Sequence, residues 1–145
     1  ILLAGCASNK ETEALMFEER AASIKNSDVN IVWDNQFVSN AHMKSLFNQC
    51  YAVLMPYKNA EASSGILGHA IAANKKVIVS GGGLLKEIVD ENDLGYLLDK
   101  VDAKSIAEKI HTAFEMDNLE VSNKNYVVNH TPLNFSKSIL NFISE

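Results

Sequence analysis

Cysteine is nearly absent from this chain of 145 residues: Cys6 and Cys50 are the two it has, with no C-x-x-C spacing and no nearby histidine pattern. Neither a disulfide framework nor a zinc site is predicted, and both thiols read as reduced core residues, which suits the cytoplasm. Basic residues are in the minority, 13 Lys plus Arg against 18 Asp plus Glu, for a formal charge of -5. No stretch gathers them into a footprint for a phosphate backbone, which excludes nucleic acid as a partner and argues against an anionic membrane surface. No apolar run approaches the ~18 to 20 residues that span a bilayer, and no basic segment leads into an apolar one as in a secretion leader. Also missing are a G-x-G-x-x-G fingerprint, a Walker A loop and a G-x-S-x-G nucleophile elbow. His42, His111 and His130 share no ligand spacing, so no metal and no resident cofactor is expected. The first apolar run ends in Ala4-Gly5-Cys6, without the acidic cluster of a receiver-type domain.

What is present is a chain 47% hydrophobic, of a length that suits one domain over residues 1–145 and a core without staples. Five apolar runs of strand length recur, at Ile1 to Ala4, Val29 to Trp33, Ala52 to Met55, Lys76 to Val79 and Gly95 to Leu98. The middle ones are continuous rather than alternating, as in strands buried on both faces. Between them lie helical stripes such as Met43, Leu46, Phe47 and Cys50, or Ile106, Ile110, Ala113 and Phe114. Strand alternating with helix predicts βαβ units, and so an α/β, three-layer, doubly wound Rossmann-like domain with a mostly parallel sheet of about five strands. Asp102 is placed to cap one helix and Thr131-Pro132 opens another over 131–145, while 116–130 reads as a polar loop. The chain opens at Ile1 inside an apolar run, which predicts a partner domain ahead of it.

In such folds ligands sit beyond the carboxyl ends of the strands, where three junctions are unusual. After the third run, Ser63, Ser64 and Gly65 enter a helix whose stripe Ile66, Leu67, Ala70 and Ile71 faces the core. Gly65, Gly68, His69 and Ala72 form another face, where two glycines cost about 2 kcal/mol of helix propensity relative to alanine. The helix start suits a phosphate, since its first N–H groups are unpaired and its dipole is positive there. The same residues also fit a plain serine cap and close packing by a neighbour. After the fourth run, Gly81, Gly82 and Gly83 offer backbone amides to a ligand, or a flexible turn. After the first run comes Gly5, compatible with a close-approach turn. The loop after the second run offers Phe37 and backbone groups to a base edge.

The ordered series "ILLAG", "LFNQCYAVLMPY", "EASSGILGHAIAANKKVIVSGGGLLKEIV" and "DENDLGYLLDKVDAKSIAEKI", spanning about residues 1 to 115, resembles the C-terminal, nucleotide-sugar-binding half of GT-B glycosyltransferases of the retaining group 1 type. The resemblance implies a hexosyltransferase-like domain that binds a nucleotide-diphospho-sugar donor for polysaccharide or glycan synthesis. A glycan or lipid-linked acceptor would be held by the N-terminal domain, at a cytoplasmic location peripheral to the membrane through that domain, and the isolated fragment would not turn over. In the family a Glu-x7-Glu motif holds the donor. Glu61 matches its first position, next to the sugar, whereas His69 stands at the second, where an imidazole replaces a carboxylate that accepts two ribose hydroxyls. Ser63, Ser64 and Gly65 keep the phosphate-facing role. The family's Arg and Lys that neutralise the diphosphate would precede Ile1. Two alternatives stay open: a sugar-nucleotide epimerase half, and a degenerate module kept for packing or partner binding.

Overall fold

The computed structural model of the chain describes residues 1–4, 30–58, 64–116 and 124–143. They group into two compact units, Ile1–Met43 and Lys44–Glu145, where composition predicts one. In the first, β1 (Leu2–Ala4) and β2 (Val32–Asp34) pair in parallel, Leu3 opposite Trp33. Ser39 then starts α1 (Asn40–Gln49), its carbonyl accepting the Met43 N–H and its hydroxyl the His42 N–H at 3.2 Å. Cys6 lies outside the described residues.

The second unit holds β3 (Ala52–Met55), α2 (Gly65–Ala72), β4 (Lys76–Ser80), α3 (Gly83–Glu91), β5 (Gly95–Leu98), α4 (Ala103–Glu115), α5 (Lys124–Asn129) and α6 (Pro132–Ile143). Helix α5 lies within the stretch expected to be a loop. The strands are parallel in the order β3-β4-β5, with Leu54, Ile78 and Tyr96 in one cross-strand row. The α/β Rossmann-like class is therefore what forms. The five expected strands occur as two hydrogen-bonded ladders of two and three strands, rather than as one ladder of five.

Burial shows which strand the continuous apolar pattern describes. All five residues of β4 are buried, whereas β3 and β5 are mostly half-buried and β1 is exposed. A strand is sealed on both faces only where it has a neighbour on each side and a helix over each face, and among the described strands only β4 has both. Side chains alternate along a strand, so Ile78 and Leu98 turn to one face, where they pack with Leu54, Tyr96 and Ile106, Ile110 and Ala113 of α4. Val77 and Val79 turn to the other. Right-handed crossovers between successive parallel strands place α2 and α3 together on that face. Leu67, Ala70 and Ile71 of α2 and Leu85 and Val89 of α3 are buried accordingly.

Helices α2 and α3 end alike. Asn74 and Asp93 take left-handed backbone angles, φ 57° and 51°, a conformation that Asn and Asp reach more readily than other side-chain residues. The chain then doubles back: Lys75 N–H bonds the Ala70 carbonyl at 2.9 Å and Leu94 N–H bonds that of Val89 at 3.1 Å. Each cap delivers the chain straight into the next strand. At the amino edge of the sheet the end of α4 is tied down. Tyr51 Oη donates to the Ala113 carbonyl at 2.9 Å, and the Lys76 ammonium donates to that of Met116 at 3.2 Å. A cation there also complements the negative end of the helix dipole.

Two consequences are measurable. The Tyr96 hydroxyl is buried beside α4 with no hydrogen-bond partner among the described residues, and burial pushes its pKa up. Tyr96→Phe should therefore raise the free energy of unfolding by about 1 kcal/mol in a urea titration, because an unsatisfied polar group is removed with little change of shape. Asp102 caps α4 as expected, accepting the Ser105 N–H at 2.8 Å. That bond, helped by the charge of Lys100, holds its carboxyl below the ordinary value of 3.8. The cap's contribution is complete above pH 3.8 and disappears as pH falls through the lower folded value. The melting-temperature gap between the wild type and Asp102→Ala should be open at neutral pH and close as the solution is acidified through that window.

Candidate functional site

Parallel pairing brings the carboxyl ends of β3, β4 and β5 level, Met55 opposite Val79 and Ser80 opposite Leu98. The segments that follow them, Pro56 to Lys58, Gly81 to Gly82 and Asp99 to Val101, surround a cleft of about 310 Å³. Its frame is held by two bonds between loops. The buried Ser80 hydroxyl donates to the Tyr57 carbonyl, and Gly81 N–H donates to the Leu98 carbonyl at 2.9 Å.

The three glycines turn out to differ. A Cβ on Gly81 would collide with the Leu98 carbonyl, and its amide is already bonded there, so Gly81 is a wall of the cleft and not an amide donor to a ligand. Gly83 has φ 62°, which favours glycine. Gly82 is the N-cap of α3, extended at φ -145° and bringing no side chain to the helix end. Gly82 and Gly83, at the start of α3, both line the cleft. Glu87 is exposed one turn further along and lines nothing there.

The other sequence-derived candidates are placed separately. Ser64 is the N-cap of α2, yet its side chain makes no capping bond; its carbonyl accepts Leu67 N–H at 3.0 Å and Gly68 N–H at 3.4 Å. The plain-cap reading of Ser64 is thereby corrected. Gly65, Gly68, His69 and Ala72 form an exposed face of α2, distinct from the buried stripe. Among the described residues nothing lies within 4 Å of a Cβ built at Gly65 or Gly68, so no described neighbour packs closely against either glycine. His69 stacks on Phe47 with ring centroids 6.0 Å apart. Ser64, Gly65 and His69 are not among the residues lining the cleft. Phe37 is 83% exposed in the loop after β2, within the first unit. Gly5, Glu61 and Ser63 lie outside the described residues.

The cleft also contains residues that motif reading passed over: Tyr57, Lys58, Asp99 and Lys100. Their signal was positional, since each directly follows a strand in a fold whose ligands sit at strand ends. Among the described residues no group of three His, Cys, Asp or Glu side chains is disposed to hold a metal ion. The histidines are paired elsewhere: His42 Nε2 is 3.6 Å from Asp34, and His111 Nδ1 is 3.2 Å from Glu115. Cys50 is a free, half-buried thiol whose pKa burial pushes up, which keeps it protonated.

The model of the family of glycosyl transferases, group 1, matches residues 2–129. The chain belongs to that family. No curated protein matches it. The match covers both units and ends at the last residue of α5, so every junction described above lies inside this group 1 glycosyltransferase domain. Membership brings a nucleotide-sugar donor and an acceptor as the family's substrates. Among the described residues no helix is long and apolar enough to cross a membrane.

The glycines of the domain give a direct test. Gly81→Ala should cost about 2 kcal/mol, because the methyl is forced against the Leu98 carbonyl. Gly83→Ala should cost about 1 kcal/mol for its left-handed backbone, and Gly82→Ala, extended and with open space around its Cβ, about 0.5 kcal/mol for the poorer N-cap. Chemical denaturation of the three variants should return that order.

Proposed function

We propose that this glycosyltransferase domain is the donor-binding half of a GT-B enzyme of the retaining type, taking a nucleotide-diphospho-sugar as substrate with no resident cofactor. The observation that carries the reading is the pair of helix starts at the carboxyl edge of one three-stranded sheet. Neither α2 at Ser64 nor α3 at Gly82 has a side-chain cap, so both present unpaired N–H groups and the positive end of a dipole. Each such end favours an anion by about 0.3–1 kcal/mol. When the sugar departs, negative charge grows on the nucleoside diphosphate, and fixed donors aimed at that charge lower the barrier without reorganising.

In this reading Ser64 and Gly65, with Ser63, meet one phosphate and the Gly82–Gly83 backbone the other. By resemblance Glu61 positions the sugar. The acceptor, a glycan or a lipid-linked glycan, is brought by a second domain, which holds its hydroxyl in line for transfer. The domain alone then binds donor without turning over, in a cytoplasmic enzyme that reaches the membrane through the other domain. One observation favours the second reading, a module that has lost its donor: His69, at the position of the second Glu, is engaged with Phe47.

Ligand-induced stabilisation separates the two, since a ligand that binds only the folded state raises the melting temperature by mass action. Donor binding predicts a dose-dependent rise with one nucleoside diphosphate and its sugar, reduced severalfold in Ser64→Ala and Glu61→Ala. A flat response to every nucleotide at millimolar concentration, for the chain and for a version extended upstream of Ile1, would establish the degenerate module.

A further inference from the structure

Among the described residues two polar side chains are buried, and both belong to β4: Lys76 at its amino end and Ser80 at its carboxyl end. A polar group is costly there unless it is bonded, and an apolar residue would fill the same place in a sealed strand without that cost. Each of the two donates to a carbonyl outside the sheet. Lys76 ties down Met116 at the end of α4, and Ser80 ties down Tyr57, just past the end of β3.

The register explains why a side chain is used at the second place. On one side Ser80 still lies opposite Leu98 of β5, but on the other β3 stops at Met55, opposite Val79. The Ser80 hydroxyl therefore continues by one step a ladder that the β3 backbone has left. Tyr57 is held a second time through its own N–H, which donates to the Met55 carbonyl at 2.9 Å. Tyr57 and Lys58 are exposed, so burial does little to hold this loop and the two bonds hold it instead. The chain leaving it carries Glu61 and Ser63 and reaches α2 at Ser64. That far end is fixed, because the buried Leu67, Ala70 and Ile71 seat α2 on β4.

We propose that Ser80 is a positioning residue for the donor: its hydroxyl latches the loop after β3 onto β4, so that the segment carrying Glu61 starts from a fixed point. The inference rests on the donor-binding reading and adds to it a residue to which the resemblance gives no role. Ser80 acts through Tyr57 and not by touching the reacting atoms. The loop opens and closes locally, the donor binds the latched form, and the affinity falls with the fraction latched.

Trypsin cleavage after Lys58 reads the latch, since a protease cuts the opened loop at a rate that follows the opened population. Ser80→Ala should speed that cut about fivefold, the scale of one net hydrogen bond, and leave the cut after Lys104 in α4 unchanged. Binding to the same chain is read by calorimetry with the diphosphates of uridine, guanosine, adenosine, cytidine and thymidine. The one that binds should slow the Lys58 cut in the wild type and bind Ser80→Ala more weakly by a similar factor. Lys76→Met removes the bond at the other end of β4 and should leave both readouts at their wild-type values. An unchanged Lys58 cut in Ser80→Ala, equal affinity of the wild type and Ser80→Ala, or an equal loss of affinity in Lys76→Met would each overturn the proposal and leave the donor reading standing. Binding of none of the five to the wild type would remove the donor reading, and the positioning role with it, even where Ser80→Ala still speeds the cut.

Discussion

Everything in the larger unit depends on β4 being sealed. Its five residues are buried because β3 and β5 pair along both of its edges while α4 covers one face and α2 and α3 the other. A residue pair such as Val77 and Ile78, pointing to opposite sides, therefore couples two separate layers of helix to one backbone. Burying each such side chain is worth about 1.5–3 kcal/mol, and a parallel ladder leaves no solvated face on which a shift in register would be tolerated.

From that fixed register the functional edge follows. Both helix ends that feed the strands use the same device, a left-handed Asn74 or Asp93 and a back-bonded amide after it, so the strands enter level and also leave level. The loops beyond Met55, Ser80 and Leu98 are then forced together. The bond from Gly81 N–H to the Leu98 carbonyl and that from Ser80 to Tyr57 knit those loops into one frame.

Much of the fold was legible in the sequence. Continuous Val, Ile and Leu runs located β3, β4 and β5, and the stripes located α2 and α4, because burial imposes its period on the chain wherever an element meets the core. Asp102 and Thr131 were legible as caps, and the structure shows each accepting the amide three residues on, since such bonds close over a single turn. The short α5 was not legible: its polar, Asn-rich sequence has low helix propensity and no long apolar stripe. The candidate site was legible in part. Gly82 and Gly83 stand where the glycine run put them, and the exposed face of Gly65, Gly68 and His69 is separate from the core stripe. The engagement of the Gly81 amide, the lack of a capping bond from Ser64 and the contact of His69 with Phe47 were not.

The sequence by itself determined the alternation of strand and helix, the parallel α/β class, the caps and the family, because each rests on spacings within a few residues or on the order of such segments along the chain. Only the tertiary structure decided the cleft. Lys58, Gly81 and Lys100 belong to three different loops, and what makes them neighbours is the register of three parallel strands, a long-range pairing that no local pattern encodes.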